Sequence, residues 1–511
     1  MISKRIERVA AIGVVCCLIL SLVNVVFLAS THSMSAQGHS LRWMRRVRLP
    51  SLNNETEMQQ RVKSAMQWAW SGYRSKAFGY DFLDVVNKNG SSFSELDLAI
   101  SLVDSLDTLF LLGFHDEFNE AAAWAESNLA QRFDRPGYVS LFETTIRVLG
   151  GLLSAYHLSG REGLLDLADG LGQRLMPGLR SSIFPRCYVS LSDGKTSGQS
   201  LLAEFTSIQL EFKYLSVLTD DRNYFDAVED IMETVRQIVE REYVDGLVPL
   251  GVDHDLGRIH RSRIKLGAGG DSYYEYLLKQ WLLSGKRETA YRDMYATAIN
   301  GIMEKMVGRT KKSGLLFLGE LEVNGELTPK MDHLVCFIPG MLALGYMNGM
   351  PESHLDLAKD LVHTCFEMYN QMPSKLSPEI VLFNTFDNSN DIEVHPGDAF
   401  NILRPETVES LMMLYRVTKN ETYREWGKVI FEAFERHCRL PQGGGYSSIG
   451  HVNDETPTKF FRREMDSFFM AETLKYLYLL FSDEHVVPLD KFVLTTEAHP
   501  IPIQFEKWIS K

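Results

Sequence analysis

Residues 404–410 read Arg-Pro-Glu-Thr-Val-Glu-Ser and open a run of apolar residues at helical spacing that reaches Tyr415. The spacing predicts a helix, and proline is pre-shaped for its first position. Acidic side chains at a helix start face unpaired N–H groups and the positive end of the dipole, so Glu406 is expected to stay ionised. A fixed, ionised carboxylate is what a general base requires. Alternatively, Glu406 and Glu409 only start and solvate a helix, so the rest of the chain must supply chemical partners.

Helical spacing of apolar residues recurs from about Thr56 to the end of the chain, as in residues 146–156 and 227–238. Short glycine and proline breaks separate these segments, and few alternating strands are visible. No composition shift or low-complexity linker divides residues 59–508. The pattern predicts one all-α domain over that range. Both a solenoid and a closed α/α toroid fit, because periodicity does not distinguish them.

The composition limits the class of partner. With 45% hydrophobic and 23% charged residues, a chain of 511 residues can bury a large core. Its net charge is −13, and no block of Lys and Arg with interleaved aromatics follows the N-terminal region. We therefore expect no nucleic-acid partner. An acidic balance suits neutral polyols or bound cations.

The N-terminus has the pattern of a membrane anchor. Residues 9–30 contain no charged side chain and are long enough to cross a bilayer as a helix. Lys4, Arg5 and Arg8 precede this segment, whereas the next basic residue is Arg42. The positive-inside rule predicts a cytosolic tail (residues 1–8), a type II transmembrane signal-anchor (9–30) and a lumenal stem (31–58). A cleaved signal peptide is the alternative, although its apolar core usually spans only about 7–15 residues.

A lumenal location would give meaning to two further features. Three Asn-X-Ser/Thr triplets, at Asn54, Asn89 and Asn420, become potential glycosylation acceptors. At least one disulfide is also expected in an oxidising space. The sequence alone leaves open three full pairings of the four cysteines beyond the anchor, as well as free thiols: Cys187, Cys336, Cys365 and Cys438.

Most metal and nucleophile motifs are absent from the sequence, which contains no HExxH, no GxSxG and no phosphate-binding GxxxxGK[ST]. Residues 387–391 resemble the opening of a calcium loop, but Ile392 occupies the position of the turn glycine. A polar surface turn is therefore the favoured interpretation. The glycine-rich residues 267–270 are interpreted as a tight loop before a helix.

Three carboxylates lie at predicted helix starts: Glu143, Asp271 and Glu406. Each has an ordinary structural explanation, since Ser140 and Glu143 suit a capping box and Asp271 suits an N-cap. Inner helices of an α/α toroid, however, run parallel and present their N-termini on one face. In that architecture the three carboxylates would converge on one cavity.

Such a cavity suits a sugar. Glycoside hydrolysis uses two carboxyl groups, one protonated and one ionised. Glu406 suits the ionised role, whereas Glu143 would need burial or a neighbouring like charge to raise its pKa, because Arg147 one turn later would lower it. Aromatic side chains next to these carboxylates could cover a sugar face, although core packing is the alternative for most of them: Phe142, Tyr273, Tyr274, Phe468 and Phe469.

Five motifs occur in an order that resembles the class I α-1,2-mannosidases, glycoside hydrolase family 47, over roughly residues 59–508. The likeness is greatest to the endoplasmic reticulum type. The motifs are Phe142-Glu143-Thr144-Thr145-Ile146-Arg147, Gly270-Asp271-Ser272-Tyr273-Tyr274-Glu275-Tyr276-Leu277-Leu278, Met331-Asp332-His333-Leu334, the 404–410 stretch and Thr496-Glu497-Ala498-His499-Pro500.

The resemblance implies an (α/α)7 toroid with minor β hairpins and a calcium-dependent, inverting exo-α-1,2-mannosidase. Its substrates would be high-mannose N-glycans on glycoproteins, in the lumen of the endoplasmic reticulum or Golgi, and we expect a monomeric catalytic domain. Retained acid and base residues favour turnover over the alternative, a lectin-like quality-control factor that binds glycans. A purely structural helical scaffold would not need the motif at Thr496 and Glu497.

The resemblance also implies roles for individual residues. Glu143 is the implied general acid with Asp271 as a catalytic partner, and Glu406 is the general base. Inverting carboxyls stand about 6.5–9.5 Å apart. Thr496 is the implied Ca²⁺ ligand through its carbonyl and hydroxyl oxygens. Cys336 and Cys365 match the family's disulfide, which leaves Cys187 and Cys438 free. The implied sugar-site residues are Arg147, Glu204, His333, Arg404, Glu409, Phe468, Glu472 and Glu497.

Two departures from the family pattern are visible. Phe82 and Val85 replace a Glu and a Pro in the family's first motif, which affects local loop geometry more than chemistry. Gly269 stands two residues before Asp271, where endoplasmic reticulum-type members carry an Arg. Because Arg offers up to about five donors to a branched glycan and Gly offers none, we predict broader branch preference with removal of several mannoses.

Overall fold

The computed structural model describes residues 55–441 and 444–503. The predicted cytosolic tail, membrane anchor and most of the stem lie outside these residues, as does Asn54. Within the described part, no helix has the length and apolar character needed to cross a membrane. The first helix begins at Glu57, slightly before the expected domain boundary, because Thr56 and Gln59 form a capping box there.

Helices make up most of the described structure. A 3₁₀ turn (His333–Phe337) and three π-helical segments (Thr144–Leu149, Phe434–Cys438 and Phe469–Thr473) adjoin them. The α-helices are α1 (Glu57–Lys76), α2 (Ile100–Asp104), α3 (Leu106–Leu111), α4 (His115–Phe133), α5 (Leu141–Glu143), α6 (Gly150–Ser159), α7 (Glu162–Leu179), α8 (Leu202–Thr206), α9 (Gln209–Thr219), α10 (Arg222–Glu242), α11 (Asp271–Leu283), α12 (Thr289–Lys305), α13 (Ile338–Met347), α14 (Glu352–Asn370), α15 (Glu406–Thr418), α16 (Thr422–Ala433) and α17 (Leu474–Phe481).

Seven helical hairpins form a closed ring in residues 55–441 and 444–503. The inner helices α3, α6, α9, α11, α13, α15 and α17 each pack against the next, and the π-helical segment before α17 packs against α2 and α3. Their outer partners are α4, α7, α10, α12, α14, α16 and, for α17, the first helix α1. The contact between the last inner helix and the first helix of the domain excludes a solenoid. This is the arrangement expected of an (α/α)7 toroid.

Burial separates the two layers as the sequence pattern requires. All eight residues of α17 are buried, whereas α10 buries one apolar face that includes Val228, Ile231 and Val235. A helix that is apolar all round belongs inside, and an amphipathic helix covers it. Gly151 lets α6 approach α2 closely, because a Cβ at this position would lie 2.7 Å from the Val103 carbonyl oxygen.

Short strands form eight small antiparallel sheets in the described residues, which confirms the expected minor β hairpins. The three-stranded sheets have the orders β18-β1-β2, β3-β4-β5, β12-β13-β14 and β15-β16-β17. The strands are β1 (Phe82–Asp84), β2 (Asn89–Ser91), β3 (Val139–Ser140), β4 (Tyr188–Val189), β5 (Thr196–Ser197), β6 (Val252–Asp253), β7 (Arg258–Ile259), β8 (Val307–Arg309), β9 (Leu316–Leu318), β10 (Glu320–Leu321), β11 (Leu327–Thr328), β12 (Lys330–Asp332), β13 (Ile380–Phe383), β14 (Ile392–Glu393), β15 (Phe400–Asn401), β16 (Ile449–Gly450), β17 (Thr458–Lys459), β18 (Glu464–Met465), β19 (Phe492–Leu494) and β20 (Pro500–Pro502).

The hairpin β19–β20 occupies the centre of the ring. Strand β19 packs against α11 and strand β20 against α6, both inner helices. Its turn contains Thr496, and the residues on both sides of Thr496 are buried. The hairpin therefore closes one end of the ring.

The cysteines are arranged as the family resemblance implied. Cys336 and Cys365 form a disulfide with a Cα–Cα distance of 5.8 Å, which joins the 3₁₀ turn to α14. Cys187 and Cys438 are free and buried. Of the potential glycosylation acceptors, Asn89 in β2 and Asn420 after α15 are both exposed.

Candidate active site

The N-terminal ends of the inner helical segments surround one cavity of 420 Å³. Every predicted catalytic, sugar-binding or metal-binding residue except His333 lines it. The lining residues that the sequence predicted are Glu143, Arg147, Glu204, Asp271, Arg404, Glu406, Glu409, Phe468, Glu472, Thr496 and Glu497.

Glu143 begins the inner segment that includes α6. The Ser140 hydroxyl accepts a hydrogen bond from the Glu143 N–H at 3.2 Å, so Ser140 caps the helix as predicted. The Glu143 side chain does not complete the capping box. It accepts instead from Arg147 Nε at 2.7 Å, one turn along the helix. About a third of the Glu143 side chain, 33%, stays exposed to the cavity.

Arg147 connects several acidic side chains. Besides Glu143, its guanidinium contacts Glu497, and it lies 3.6 Å from Asp104 Oδ2. Burial alone would lower the pKa of Arg147, but the charges of Glu497, Glu143 and Asp104 outweigh it and raise the pKa well above the ordinary value. Arg147 is therefore a permanent cation in the wall of the cavity.

Glu406 is held as an ionised carboxylate. It is the first residue of α15, and Pro405 precedes the helix as its N-cap, one position earlier than predicted. His333 Nδ1 lies 2.6 Å from Glu406 Oε2, and Arg404 Nη1 lies 3.6 Å from Oε1. Burial would raise the pKa of Glu406, but the hydrogen bond and charge of His333, followed by the charge of Arg404, hold it below the ordinary value.

His333 contacts the Glu406 carboxylate but does not itself line the cavity. The residue is 1% exposed. Its Nε2 lies 2.7 Å from the Tyr369 hydroxyl and 3.2 Å from the Thr407 hydroxyl. The predicted sugar contact of His333 is therefore replaced by a positioning contact to Glu406.

Asp271 has the opposite protonation preference to Glu406. Burial raises the pKa of Asp271 to about 7, and the charges of Glu275 and Glu406 add to this effect. The Ser272 N–H, which donates to Asp271 Oδ1 at 2.8 Å, opposes it only in part. Asp271 begins α11, and Gly270 rather than Asp271 is the N-cap. The site thus contains one carboxyl group that retains its proton near neutrality and another that does not.

Phe468 forms an apolar wall between two cations. Its ring centroid lies 5.9 Å from the guanidinium carbon of Arg147 and 6.0 Å from that of Arg404. Nε of Arg404 also donates to Glu379 at 2.7 and 2.8 Å, which fixes the direction of the side chain. Phe142 lines the cavity as well. The other aromatics near the predicted carboxylates pack in the core instead: Tyr273, Tyr274 and Phe469.

The cavity lining contains far more carboxyl groups than basic groups. Its two cations are Arg147 and Arg404, and its eight carboxyl groups are those of Glu143, Glu204, Asp271, Glu275, Glu406, Glu409, Glu472 and Glu497. Burial raises the pKa of Glu204, raises that of Glu409 to about 8, and raises those of Glu472 and Glu497 well above their ordinary values. Mutual repulsion among these carboxyl groups strengthens the shift, so a bound cation would favour their ionised forms.

Thr496 offers oxygen atoms to such a cation. Neither its carbonyl nor its hydroxyl accepts a hydrogen bond from a described residue, although its N–H donates to the Tyr276 hydroxyl at 3.3 Å. No group of three His, Cys, Asp or Glu side chains in the described part of the chain is arranged to hold a metal directly. This donor set fits Ca²⁺, which accepts backbone, hydroxyl and water oxygens.

Glu275 and Leu201 are among the lining residues to which the sequence assigned no role. Glu275 lies one turn after Asp271 in α11, so its helical spacing could have indicated it. Leu201 is 43% exposed and has no such signal in the sequence. Outside the cavity, residues 387–391 form the predicted polar turn, in which the Asn384 amide donates to Asp387 Oδ1 at 2.7 Å.

Comparison with known proteins identifies the family. The family model for glycosyl hydrolase family 47 matches residues 65–503. The chain is 47% identical over 446 residues to the human endoplasmic reticulum mannosyl-oligosaccharide 1,2-alpha-mannosidase, covering 85% of this chain and 62% of the human protein. It is 38% identical over 474 residues to the Schizosaccharomyces pombe protein of the same description, covering 88% and 90%.

Structural comparison indicates the same family. An alpha-1,2-mannosidase from Trichoderma reesei superimposes with a TM-score of 0.81 at 28% identity, covering 88% of this chain and 99% of the fungal chain. The chain belongs to glycosyl hydrolase family 47, as its motifs indicated.

The protonated state of Asp271 predicts how stability varies with pH. In the folded protein the pKa of Asp271 is about 7, whereas in the unfolded chain it returns to the ordinary value of 3.8. The folded state therefore binds more protons between these values, and its stability falls as pH rises through them. Asp271→Asn cannot ionise and should lose less stability over the same interval.

Thermal unfolding in the presence of a chelator, measured from pH 4 to pH 8, tests this prediction. The melting temperature of Asp271→Asn should fall less with pH than that of the wild type. Asp230→Asn, on the exposed side of α10, should follow the wild type. Parallel curves for Asp271→Asn and the wild type would show that Asp271 is ionised in the folded protein.

Proposed function

We propose that this chain is a calcium-dependent, inverting exo-α-1,2-mannosidase that trims mannose from high-mannose N-glycans on glycoproteins. The observation that carries the proposal is that Glu406 and Asp271 line one cavity in which His333 and Arg404 lower the pKa of Glu406 and burial raises that of Asp271. Family membership and relatives named as mannosyl-oligosaccharide 1,2-alpha-mannosidases supply the substrate class. Because the chain spans 62% of the human relative's length, the whole protein's activity and partners are part of the proposal.

Glu406 is the base that takes a proton from the attacking water. Its carboxylate is ionised, and His333 and Arg404 fix its orientation from two sides. A carboxylate that acts on water inverts the anomeric carbon, since no covalent sugar–enzyme intermediate forms. The separation of about 6.5–9.5 Å between the reacting carboxyl groups stays a prediction.

The proton for the leaving oxygen comes from a second carboxyl group that lines the same cavity. The pKa of Asp271 is raised to about 7, so this residue suits the acid role. Glu143 is ion-paired with Arg147 at 2.7 Å, so its carboxyl group already has a cationic partner. We therefore assign the proton to Asp271 and give Glu143 the task of orienting the leaving group or a water beside it.

The cavity favours the end of a glycan chain. The hairpin β19–β20 closes the ring at the level of Thr496, so a polysaccharide cannot pass through, and only a terminal residue reaches Glu406. The Phe468 ring can cover one sugar face, while the charged groups around it bind hydroxyls. These features support exo-action on a terminal mannose.

Thr496 would bind Ca²⁺ through its carbonyl and hydroxyl oxygens, with water completing the shell. When bound, the ion offers positive charge and coordination sites for sugar hydroxyls. Glu409, Glu472 and Glu497 line the same cavity as Thr496 and would orient waters around a bound ion. The relatives named as endoplasmic reticulum enzymes support a place in the secretory pathway. Type II anchoring through residues 9–30 is part of the same proposal.

A release assay tests the function. The lumenal part of the chain should release mannose from a nine-mannose glycan in the presence of Ca²⁺, and a chelator should abolish release. Re-addition of Ca²⁺ should restore it. Glycan binding without release under Ca²⁺ would favour a lectin-like quality-control factor instead.

Glu406→Gln should lower kcat by about 10²–10⁴-fold, because an amide cannot accept the proton from water. Binding of a nine-mannose glycan, measured by surface plasmon resonance, should stay within a few-fold of the wild type. Glu242→Gln, at the exposed end of α10, serves as the control for the loss of a carboxylate. Parallel loss of binding and turnover in Glu406→Gln would assign Glu406 to sugar binding.

Gly269 predicts the extent of trimming. The wild type should remove several mannoses, and Gly269→Arg should restrict the products, because a new guanidinium at the cavity wall would favour particular branches. Gly269 has a φ of +88°, and a Cβ there would lie 2.7 Å from Leu201 Cδ1. Gly269→Ala imposes the same strain without donors and is the matched control.

Product analysis over time by mass spectrometry and chromatography distinguishes these outcomes. The Ala variant should slow release but keep the wild-type order of products, whereas the Arg variant should change that order. A single eight-mannose isomer from the wild type even after prolonged incubation would contradict the predicted broad preference.

A further inference from the structure

The turn that contains Thr496 is held by buried side chains from several inner helices. Within the turn, the Thr495 N–H donates to the His499 carbonyl at 3.0 Å, and the Ala498 N–H donates to the Thr495 carbonyl at 3.0 Å. Ala498 has a φ of +59°, a conformation that residues other than glycine adopt only with support. External contacts must therefore stabilise this backbone.

Helix α11 supplies two of these contacts. The Tyr276 hydroxyl accepts from the Thr496 N–H at 3.3 Å and donates to Glu211 Oε1 at 2.9 Å. Lys279 Nζ donates to the Thr495 carbonyl at 3.3 Å. Tyr276 is 0% exposed and Lys279 is 2% exposed, so neither contact competes with solvent.

Helix α17 holds the other side of the turn. Lys475 Nζ donates to the Ala498 carbonyl at 2.9 Å and lies 2.9 Å from Asp107 Oδ1. The second oxygen of Asp107 lies 2.8 Å from His499 Nδ1, while His499 Nε2 lies 3.1 Å from Asp104 Oδ1. All four side chains are fully buried.

The polar groups on both sides of Thr496 are thus occupied, whereas its own carbonyl and hydroxyl oxygens accept nothing from the described residues. A buried network that engages the backbone on both sides of Thr496 but leaves its two oxygens without a partner among the described residues presents those oxygens to a ligand. Buried side chains that hydrogen-bond a turn also restrict its backbone geometry.

We propose that Tyr276, Lys279 and Lys475 are positioning residues that hold the turn with both Thr496 oxygens directed at the bound cation. This inference rests on the proposed calcium role of Thr496. None of the three contacts the cation or the sugar; they act by fixing the backbone that does. Mutation of residues that hold metal ligands in place commonly lowers the affinity for the metal by about 10–100-fold.

Tyr276→Phe is the sharpest test because it removes one hydroxyl and keeps the ring. Tyr274→Phe is the matched control. Tyr274 lies on the same helix, is also 0% exposed, and its hydroxyl accepts from the Val248 N–H at 3.2 Å, away from the turn. Isothermal titration with Ca²⁺ alone should show at least about 10-fold weaker binding for Tyr276→Phe, and wild-type affinity for Tyr274→Phe.

The rise in melting temperature on addition of Ca²⁺ provides a second readout, since a ligand stabilises in proportion to the logarithm of its concentration over Kd. Lys475→Met should also reduce this rise. Should that variant fail to fold, the comparison of the two tyrosine variants still decides the matter. Equal Ca²⁺ affinity in the wild type and both tyrosine variants would overturn the positioning role. A wild type that binds no Ca²⁺ would instead overturn the proposed calcium dependence.

Discussion

The closed ring of inner helices is the constraint on which the site depends. Every inner helix runs in the same direction, because each alternates with an outer helix of opposite direction, and α17 closes the ring against α1. Their N-terminal ends therefore meet on one face, each with unpaired N–H groups and the positive end of a dipole. Carboxylates at these ends gather in one place, and Glu143, Asp271 and Glu406 lie around one cavity although long stretches of chain separate them. The ring therefore brings the helix starts together whichever side chains they carry.

Burial then gives similar carboxyl groups different properties. Glu406 and Asp271 both begin inner helices, yet His333 and Arg404 keep Glu406 ionised while desolvation and like charges keep Asp271 protonated. Two carboxyl groups with separated pKa values provide an acid and a base at one pH. The neighbouring residues, rather than the type of the reacting residue, decide which role each group takes.

The sequence predicts the local parts of this design better than the long-range ones. Helical spacing, the Ser140 cap and the starts of α11 and α15 were each correct within a residue, because they depend on neighbours along the chain. The disulfide was available only through family resemblance, since it depends on a contact between distant segments. The proposed role of Thr496 rests on the same resemblance. The sequence predicted that His333 lines the cavity, but the residue contacts Glu406 from outside the lining. A sequence motif does not distinguish these two positions. Tyr273 and Tyr274 looked suited to a sugar, yet α11 is buried on nearly all sides and both rings are in the core.

The central hairpin also determines when the site can form. His499 contacts Asp104 and Asp107, which precede it by 395 and 392 residues. Contacts of such separation require closure of almost the whole domain. The floor of the cavity and the contact of α17 with α1 that closes the ring both need the C-terminal part of the domain. A nascent chain that has not yet produced β20 contains Glu143, Asp271 and Glu406 but lacks the floor of the cavity around them, so a complete cavity requires the last strand of the domain.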